Sequence, residues 1–279
     1  MDPLVRNNVT VSGNNGADDT LVFVCGLGTD QSVWNKIVPA FQDSHRIVLF
    51  DHVGAIPQNR DLFLAHQSRY LNISGYARDL LEVCEALQLP RSTVLVGHSL
   101  GALASMVASV QKPEQFSGLV LLGASPRYVD CDGYRGGFAK ADVDAVYDAL
   151  MNDYDVWTKH FSALAMGNPN RPELAIKFSE TMRHTPKEMM LTMLCSALQT
   201  DQRDKLPRIV QPTLVIQSAD DIFVPLHVAE YLRDHIPNCE LRVIAASGHL
   251  PHVSAPEEVT AVLKSFLERR IHRVGVVAA

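Results

Sequence analysis

The 279-residue chain lacks long apolar segments and any concentration of basic residues. No apolar run approaches the roughly 20 residues needed to cross a bilayer, and the N-terminus has no apolar stretch of the kind that a secretory signal requires. The 25 Lys and Arg residues are balanced by 31 Asp and Glu residues, which gives a net charge of −6. Because nucleic-acid binding requires clustered Lys and Arg, we expect no nucleic-acid partner, no membrane and a cytoplasmic location.

Paired cysteines and metal-binding motifs are also missing from the sequence. The five cysteines are scattered and form no C-x-x-C pair, which favours reduced thiols over a disulfide framework or a zinc site. No H-E-x-x-H sequence or similar cluster of ligands is present. Gly26-x-Gly28 resembles the start of a dinucleotide-binding loop, but Gln31 occupies the position of the required third glycine. The sequence therefore predicts neither a metal nor a cofactor.

Apolar, β-branched runs alternate with helical patterns along most of the chain. This alternation predicts an α/β fold, in which a mostly parallel sheet carries helices on both faces. A weaker run at Val9 to Ser12, followed by Gly13-Asn14-Asn15-Gly16, predicts the first arm of an antiparallel hairpin. The main predicted strands are Thr20 to Val24, Arg46 to Phe50, Thr93 to Val96, Gly118 to Leu122, Thr213 to Gln217 and Leu241 to Ala245.

The alternation stops between about residues 126 and 206, where helical patterns follow one another without a strand-like run. This predicts a helical cap at 126–206, inserted into a core formed by 1–125 and 207–279. Six of the eight methionines fall in the insertion. They are expected either to form the insertion's own core or to line an adaptable apolar pocket.

A serine stands in Gly97-His98-Ser99-Leu100-Gly101, between a short apolar run and a helix-forming segment. A strand that passes into a helix at Gly-x-Ser-x-Gly forms a nucleophile elbow, which lifts the serine hydroxyl clear of the sheet. The turn is strained, and side chains at both glycine positions would collide with neighbouring backbone. We therefore predict that Ser99 is a nucleophile for acyl carbon atoms, whereas His98 is interpreted as a packing residue.

A serine hydroxyl needs a base to remove its proton, and that base needs an acceptor on its other nitrogen. Candidates follow the last two predicted strands, with Asp220 and Asp221 after one and His249 and His252 after the other. Only one of two consecutive loop carboxylates can face the imidazole, and we favour Asp221. We favour His249 because the glycine before it allows a tight loop. The resulting order of Ser, Asp and His is the one expected for a strand, elbow and helix of this kind.

Acyl transfer also requires donors for the negative charge that grows on the carbonyl oxygen. The backbone amides of Leu100, directly after the serine, and of Leu27, in the loop after an early strand, occupy the usual places. Cys25 is an alternative nucleophile, but no second base accompanies it, and a thiol at the end of a buried strand usually packs. The sequence therefore predicts an oxyanion hole formed by Leu27 and Leu100.

Several motifs occur in one order and together carry a family resemblance. With them, the sequence over roughly residues 5 to 268 resembles α/β-hydrolases of the RsbQ type, the group that includes the strigolactone and karrikin receptors. The motifs are Gly28-Thr29-Asp30-Gln31-Ser32-Val33-Trp34, Gly97-His98-Ser99, Ser125-Pro126-Arg127-Tyr128, Gly136-Gly137-Phe138 and Gln217-Ser218-Ala219-Asp220-Asp221.

The resemblance implies the α/β-hydrolase fold, with the insertion forming a V-shaped cap of four helices. It implies that Ser99, Asp221 and His249 form the catalytic triad, and that the ligand is a small ester or lactone such as a butenolide. Several members signal through ligand-dependent contacts with a protein partner, which adds the nucleus as a location for a receptor-like member. The pocket walls implied by the resemblance are Phe138, Trp157 and Phe161.

The chain departs from the plant receptors at several positions of the pocket. Cys25 and Leu27 stand where a His and a Phe are usual, which removes a ring from the pocket floor, and Leu100-Gly101 stands where Val-Ser is usual. For this reason no plant hormone is assigned as the ligand.

The sequence thus leads to a hypothesis of a cofactor-free serine hydrolase that acts on a small ester or lactone through an acyl-enzyme. The alternative is a ligand-gated signalling receptor in which slow hydrolysis marks or resets the bound state. Haloalkane or epoxide chemistry normally needs a carboxylate at the elbow, and Ser99 argues against it.

Overall fold

Seven strands form one sheet at the centre of the computed structural model, which describes residues 1–277, with side chains as far as residue 269. The strand order is β1-β3-β2-β4-β5-β6-β7, in which β1 is antiparallel to β3 and the neighbouring pairs of the other six strands are parallel. The strands are β1 (Thr10–Gly13), β2 (Thr20–Val24), β3 (Arg46–Phe50), β4 (Thr93–His98), β5 (Phe116–Leu122), β6 (Thr213–Asp220) and β7 (Cys239–Ser247).

Helices connect the parallel strands and cover both faces of the sheet. Within the described stretch, no helix is both long enough and apolar enough to cross a bilayer. The α-helices are α1 (Pro3–Arg6), α2 (Arg60–Ala65), α3 (Ile73–Ala86), α4 (Leu100–Gln111), α5 (Lys140–Asn152), α6 (Tyr154–Met166), α7 (Pro172–Met182), α8 (Lys187–Leu198), α9 (Leu226–His235), α10 (Pro251–Ser254) and α11 (Pro256–Val277). Short 3-10 helices cover Gln31–Trp34, Val38–Ala40, Pro57–Asn59, Gln67–Tyr70, Pro113–Gln115 and Arg203–Arg208.

The predicted hairpin at the N-terminus is wrong. The strand β1 is antiparallel as expected, but it pairs with β3, from Thr10 opposite Leu49 to Gly13 opposite Arg46. Both edges of β2 are already occupied, because β3 and β4 pair with it in parallel. The first strand therefore adds to the free edge of β3 rather than folding back on its neighbour in sequence.

The hydrophobic core has two layers, one on each face of the sheet. Successive residues of a strand point to opposite faces, so a strand buried on both faces is apolar throughout. On β2, Leu21 and Phe23 pack in the layer that includes α11, whereas Val22 and Val24 pack in the layer that includes α3 and α4. With both faces covered, the sheet is a rigid base for the loops that leave its carboxyl edge.

The helices α5 to α8 lie between β5 and β6 and form the four-helix segment (residues 140–198). Contacts join α5 to α6, α6 to α7 and α5 to α8. Five of the segment's methionines are almost completely buried within the larger core layer, namely Met166, Met182, Met189, Met190 and Met193. The boundaries that separate this segment from the core, at 125/126 and 206/207, stay a prediction.

Candidate active site

Three polar side chains meet at the carboxyl edge of the sheet. Ser99 directly follows β4, Asp221 directly follows β6, and His249 follows β7 by two residues. These three strands belong to one half of the sheet, where the strand order is β4-β5-β6-β7, and they run parallel. Because parallel strands end at one edge, residues far apart in sequence come together in a single crevice.

The turn at Ser99 has the strained geometry of a nucleophile elbow. Ser99 has φ 51° and ψ −114°, a region that residues other than glycine rarely adopt. A Cβ on Gly97 would lie 2.7 Å from the carbonyl oxygen of Gly101, and one on Gly101 would lie 2.3 Å from that of Val24. Both glycines are therefore required by the close approach of α4 to the strands.

Two hydrogen bonds link the three side chains in series. The Ser99 Oγ lies 2.8 Å from His249 Nε2, and His249 Nδ1 lies 2.8 Å from Asp221 Oδ2. With Nδ1–H donating to the carboxylate, Nε2 accepts from the serine hydroxyl. The imidazole is thus placed to take the hydroxyl proton, and all three residues are less than one-tenth exposed.

Both oxygens of the Asp221 carboxylate are occupied. Oδ1 accepts from the backbone N–H groups of Phe223 and Val224, at 2.9 and 3.1 Å. Oδ2 accepts from Gln217 as well as from His249. Burial by itself raises the pKa of the carboxyl, but the charge and hydrogen bonds of these partners outweigh it, and the pKa lies below its ordinary value. The neighbouring carboxylate, Asp220, is exposed, and the hydrogen bond from His249 Nδ1 is accepted by Asp221 instead.

The loop that carries His249 is held from two sides. Its backbone carbonyl accepts a 2.8 Å hydrogen bond from His98 Nε2, and its backbone N–H donates to the carbonyl of Ala165 at the end of α6. His98, interpreted from sequence as a packing residue, therefore also anchors this loop. It is fully buried, and desolvation holds its pKa well below the ordinary value, so the ring is a neutral donor.

His252, the rival candidate for the base, is turned away from the serine. Its ring stacks on Trp34 with centroids 4.5 Å apart and also lies against His98. Neither ring nitrogen of His252 has a hydrogen-bond partner among the described residues. Complete burial lowers the pKa of His252 to about 3. The choice of His249 over His252 therefore agrees with the geometry.

The two predicted oxyanion donors belong to backbone segments that lie close to each other near the serine. Leu100 is the first residue of α4, so its N–H points out of the helix start without a partner inside the helix. Leu27 lines the same cavity as Ser99, and none of the hydrogen bonds of the described residues is donated by its N–H. The close contact of Gly101 with the end of β2 brings these two backbone segments together.

A cavity of about 540 Å³ opens above Ser99 and falls in the range typical of small-molecule sites. Phe138, Trp157 and Phe161, the walls implied by the resemblance, all line it. Trp157 and Phe161 form part of a stack with centroids 4.9 Å apart. None of the methionines is among the described residues that line this cavity, so of the two alternatives for the methionines the core position agrees with the structure, and aromatic and aliphatic side chains form the walls.

Two further residues of the site were not identified from sequence. The hydroxyl of Tyr128 lies 3.3 Å from Ser99 Oγ, and the ring of Phe223 packs edge-on against His249 and stacks on Phe161. Both residues follow the carboxyl ends of strands, β5 and β6, which is the place where ligand contacts concentrate in such sheets. That position, rather than residue type, is the signal that could have found them.

The competing assignments find no support in the geometry. The thiol of Cys25 is fully buried and directed at the carbonyl of Phe50, and burial raises its pKa well above the ordinary value. A thiol of this kind packs rather than attacks. All five cysteines are free. Among the described residues, no group of three or more His, Cys, Asp or Glu side chains is arranged to hold a metal ion.

Comparison with known proteins identifies the family to which the chain is similar. Residues 19–256 match the model of the alpha/beta hydrolase fold. The chain is 37% identical over 260 residues to Karrikin insensitive 2 receptor IA of Petunia hybrida, covering 93% of this chain and 94% of that protein. It is 36% identical over 264 residues to Strigolactone esterase RMS3 of Pisum sativum, covering 94% and 97%.

A solved structure is also similar to this chain. A hydrolase from Oleispira antarctica has a TM-score of 0.89 with this chain at 28% identity, and the match covers 96% of both chains. The family model, the two relatives and the Oleispira antarctica structure each match more than four-fifths of the chain. The chain belongs to the α/β-hydrolase family.

Proposed function

We propose that the protein is a cofactor-free serine esterase or lactone hydrolase. In the first half of the reaction, Ser99 Oγ attacks the carbonyl carbon while His249 Nε2 takes the hydroxyl proton. Asp221 holds the imidazole in the required tautomer and balances its positive charge. The N–H groups of Leu27 and Leu100 donate to the carbonyl oxygen as it becomes negative. His249 then gives its proton to the departing oxygen, and an acyl group remains on Ser99.

In the second half of the reaction, water replaces the departed alcohol. His249 takes a proton from this water as it attacks the acyl carbon, and the same two amides hold the oxyanion. The bond between carbon and Oγ then breaks, its electron pair goes to Oγ, and His249 returns the proton. The acid is released and Ser99 is restored, so one ester bond and one water are consumed in each cycle.

The single observation that carries this proposal is the buried pair of 2.8 Å hydrogen bonds from Ser99 to His249 to Asp221 at the floor of a cavity. The aromatic walls and the cavity volume suit a small, apolar ester or lactone. We place the catalytic core at 1–125 and 207–279 and treat 126–206 as the cap that supplies these walls.

Replacement of the nucleophile tests the proposal. Ser99→Ala is expected to lower kcat/KM for p-nitrophenyl acetate by about 10⁴-fold or more, because only weak background catalysis survives loss of the nucleophile. Ser105→Ala is the matched control, since this buried serine of the same helix bonds only the Gly101 carbonyl. Thermal unfolding of both variants shows whether the fold is kept. Undiminished turnover by a folded Ser99→Ala protein would refute the assignment.

A second candidate is a ligand-gated receptor in which the same hydrolysis is slow and marks or resets the bound state. Two observations favour it. One relative carries the name of a receptor. In addition, the His249 loop is bonded to the four-helix segment, through Ala165 and through Asn168, whose amide donates to the carbonyl of Ser247 at 2.9 Å. A ligand that shifts α6 would therefore also shift the base.

Turnover rate and partner capture separate the two candidates. A metabolic hydrolase is expected to turn over many times per minute on its ester without another protein. A receptor is expected to turn over more slowly than once per minute and to retain a protein partner only when ligand is present. Fast turnover with no ligand-dependent partner would remove the receptor candidate.

A further inference from the structure

Tyr128 is the second hydrogen-bond partner of the serine oxygen. Its hydroxyl lies 3.3 Å from Ser99 Oγ and has no other hydrogen-bond partner among the described residues. The side chain is only 5% exposed and lines the cavity above Ser99. A buried hydroxyl whose one polar neighbour is the reacting atom calls for a chemical explanation.

The backbone around Tyr128 holds the hydroxyl in place. The carbonyl of Tyr128 accepts a 3.1 Å hydrogen bond from the N–H of Phe138, and the Phe138 ring packs edge-on against the tyrosine. On the other side, Arg127 Nε donates to the carbonyl of Val129 at 2.7 Å, and the same guanidinium is paired with Asp201. These contacts fix the backbone before and after the tyrosine. The fixed backbone keeps the Tyr128 hydroxyl directed at Ser99.

The direction of the hydrogen bond follows from the rest of the site. The Ser99 hydroxyl donates a hydrogen bond to His249 Nε2, which leaves the lone pairs of Oγ free to accept another. Burial raises the pKa of the Tyr128 phenol, so the hydroxyl keeps its proton at neutral pH. Tyr128 is therefore the donor and Ser99 Oγ the acceptor.

This donor distinguishes the free enzyme from the acyl-enzyme. In the free enzyme Oγ belongs to a hydroxyl, which accepts hydrogen bonds well. In the acyl-enzyme it is the bridging oxygen of an ester, which accepts them poorly, and as the ester breaks it takes on negative charge and accepts strongly. The bond from Tyr128 thus favours departure of Oγ more than its attack, because only interactions that strengthen toward the transition state accelerate a step.

We propose that Tyr128 is a catalytic residue for deacylation, a role that rests on the function proposed above. As the bond between the acyl carbon and Oγ breaks, Oγ receives the electron pair and the proton of His249. Tyr128 donates a hydrogen bond to Oγ throughout and keeps its own proton. Its contribution is therefore stabilisation of the leaving serine oxygen rather than proton transfer.

Pre-steady-state hydrolysis of p-nitrophenyl acetate separates the two halves of the reaction. The burst of p-nitrophenolate reports acylation, and the steady rate that follows reports deacylation. Tyr128→Phe is expected to slow the steady rate by about 10-fold, the value of one good hydrogen bond to a developing charge, while the burst rate changes by less than about 3-fold. The fraction of protein that carries one acetyl group in the intact mass spectrum is expected to rise accordingly.

Tyr134→Phe is the matched control. The Tyr134 hydroxyl donates to the carbonyl of Arg127 in the same loop and does not contact Ser99. It is expected to leave the ratio of the two rates unchanged. Equal slowing of both phases by Tyr128→Phe, or an unchanged steady rate in a folded variant, would overturn the proposal.

Two further measurements cover the cases in which Tyr128→Phe does not fold or in which the proposed function itself is wrong. If Tyr128→Phe unfolds, 3-fluorotyrosine at position 128 keeps the ring and makes the hydroxyl a stronger donor, so the steady rate should rise relative to the burst, and a fall would contradict the proposal. If wild type never forms an acetyl adduct and Ser99→Ala still turns over ester, the proposed function itself fails. These outcomes differ, so loss of the tyrosine's role is distinguishable from loss of the serine's.

Discussion

The carboxyl edge of the sheet and the four-helix segment build the site in different ways. At the sheet edge, each polar atom has partners fixed by strand position, as both oxygens of Asp221 show. In the four-helix segment, apolar rings such as Trp157 and Phe161 pack against each other, with centroids 4.9 Å apart. From this difference we expect that substitutions at the sheet edge change whether the proposed reaction occurs, whereas substitutions in the four-helix segment change which substrates are accepted.

The largest expected effect tests the sheet edge. Asp221→Asn removes the charge and favours the wrong tautomer of His249, so kcat is expected to fall by about 10⁴-fold for every ester. The neighbouring Asp220→Asn serves as the control, because that side chain is exposed, and should change kcat by less than about 2-fold. Steady-state kinetics on both variants check this. Similar losses from the two substitutions would show that the sheet edge does not discriminate between them.

The next effect concerns the buried histidine below the His249 loop. In the unfolded chain His252 binds a proton below about pH 6.5, whereas burial in the folded protein lowers its pKa to about 3. Between these values the unfolded state holds more protons, so stability falls as the pH falls from about 6.5 toward 3. The loss is on the order of 5 kcal/mol.

His252→Phe keeps a ring against Trp34 and removes this proton uptake. The free energy of unfolding of the variant, measured in denaturant at pH 7 and pH 4, should therefore fall less over this range than that of the wild type. Phe41→Leu, in the same core layer as Trp34, controls for destabilisation without loss of a titrating group. If the free energy of unfolding fell by the same amount from pH 7 to pH 4 in His252→Phe and in the wild type, the account would be contradicted.

A smaller effect lies where the two regions meet. Gly248 has φ +89°, and a Cβ there would lie 2.0 Å from the carbonyl oxygen of Met166 at the end of α6. Gly133 also has positive φ, +75°, but nothing lies within 4 Å of its Cβ position. Gly133→Ala should cost about 1 kcal/mol of backbone strain. Gly248→Ala should cost about 2 kcal/mol more and lower kcat as well, because the His249 loop must move.

Chemical denaturation and kcat of these two alanine variants check the difference. Equal costs would show that the end of α6 does not constrain the loop.

The smallest effect tests the four-helix segment alone. Phe161→Ala removes a ring that stacks on Trp157 and Phe223. It should lower kcat/KM by about 10-fold for an aromatic ester and by less than about 3-fold for an acetate, because the lost contact is with the apolar part of the substrate. A loss that is equal for both esters would place Phe161 among the residues that support the reaction itself.

The individual strands were more predictable from sequence than their pairing. Thr20–Val24 and Arg46–Phe50 are predicted to the residue, because strands buried on both faces read as continuous apolar runs bounded by polar turns. The pairing of β1 was not predictable in the same way, since it depends on which strand edge remains free once the sheet has formed. Pairing is a property of the whole sheet, and local patterns report only the strand.

In the candidate site, too, some residues could be predicted from local sequence and others could not. Ser99 and His249 stand in local motifs whose glycines mark the required turns, so sequence could single them out. Tyr128 stands in the Ser125-Pro126-Arg127-Tyr128 motif, which carries the family resemblance but does not mark the tyrosine as a site residue, and Phe223 stands in no such motif. Their places in the site depend on how the loops after β5 and β6 fold over the edge, and their roles, like those of the three residues in series, stay predictions until tested.

Covalent labelling tests the central claim most directly, because it reads the reactivity of one oxygen. The wild-type protein is treated with a fluorophosphonate and the adduct is located by peptide mass spectrometry. A single adduct on Ser99 is predicted, absent from Ser99→Ala and formed far more slowly in Asp221→Asn. A stoichiometric adduct on another residue in the folded Ser99→Ala protein, or a wild-type protein that does not react, would contradict the account.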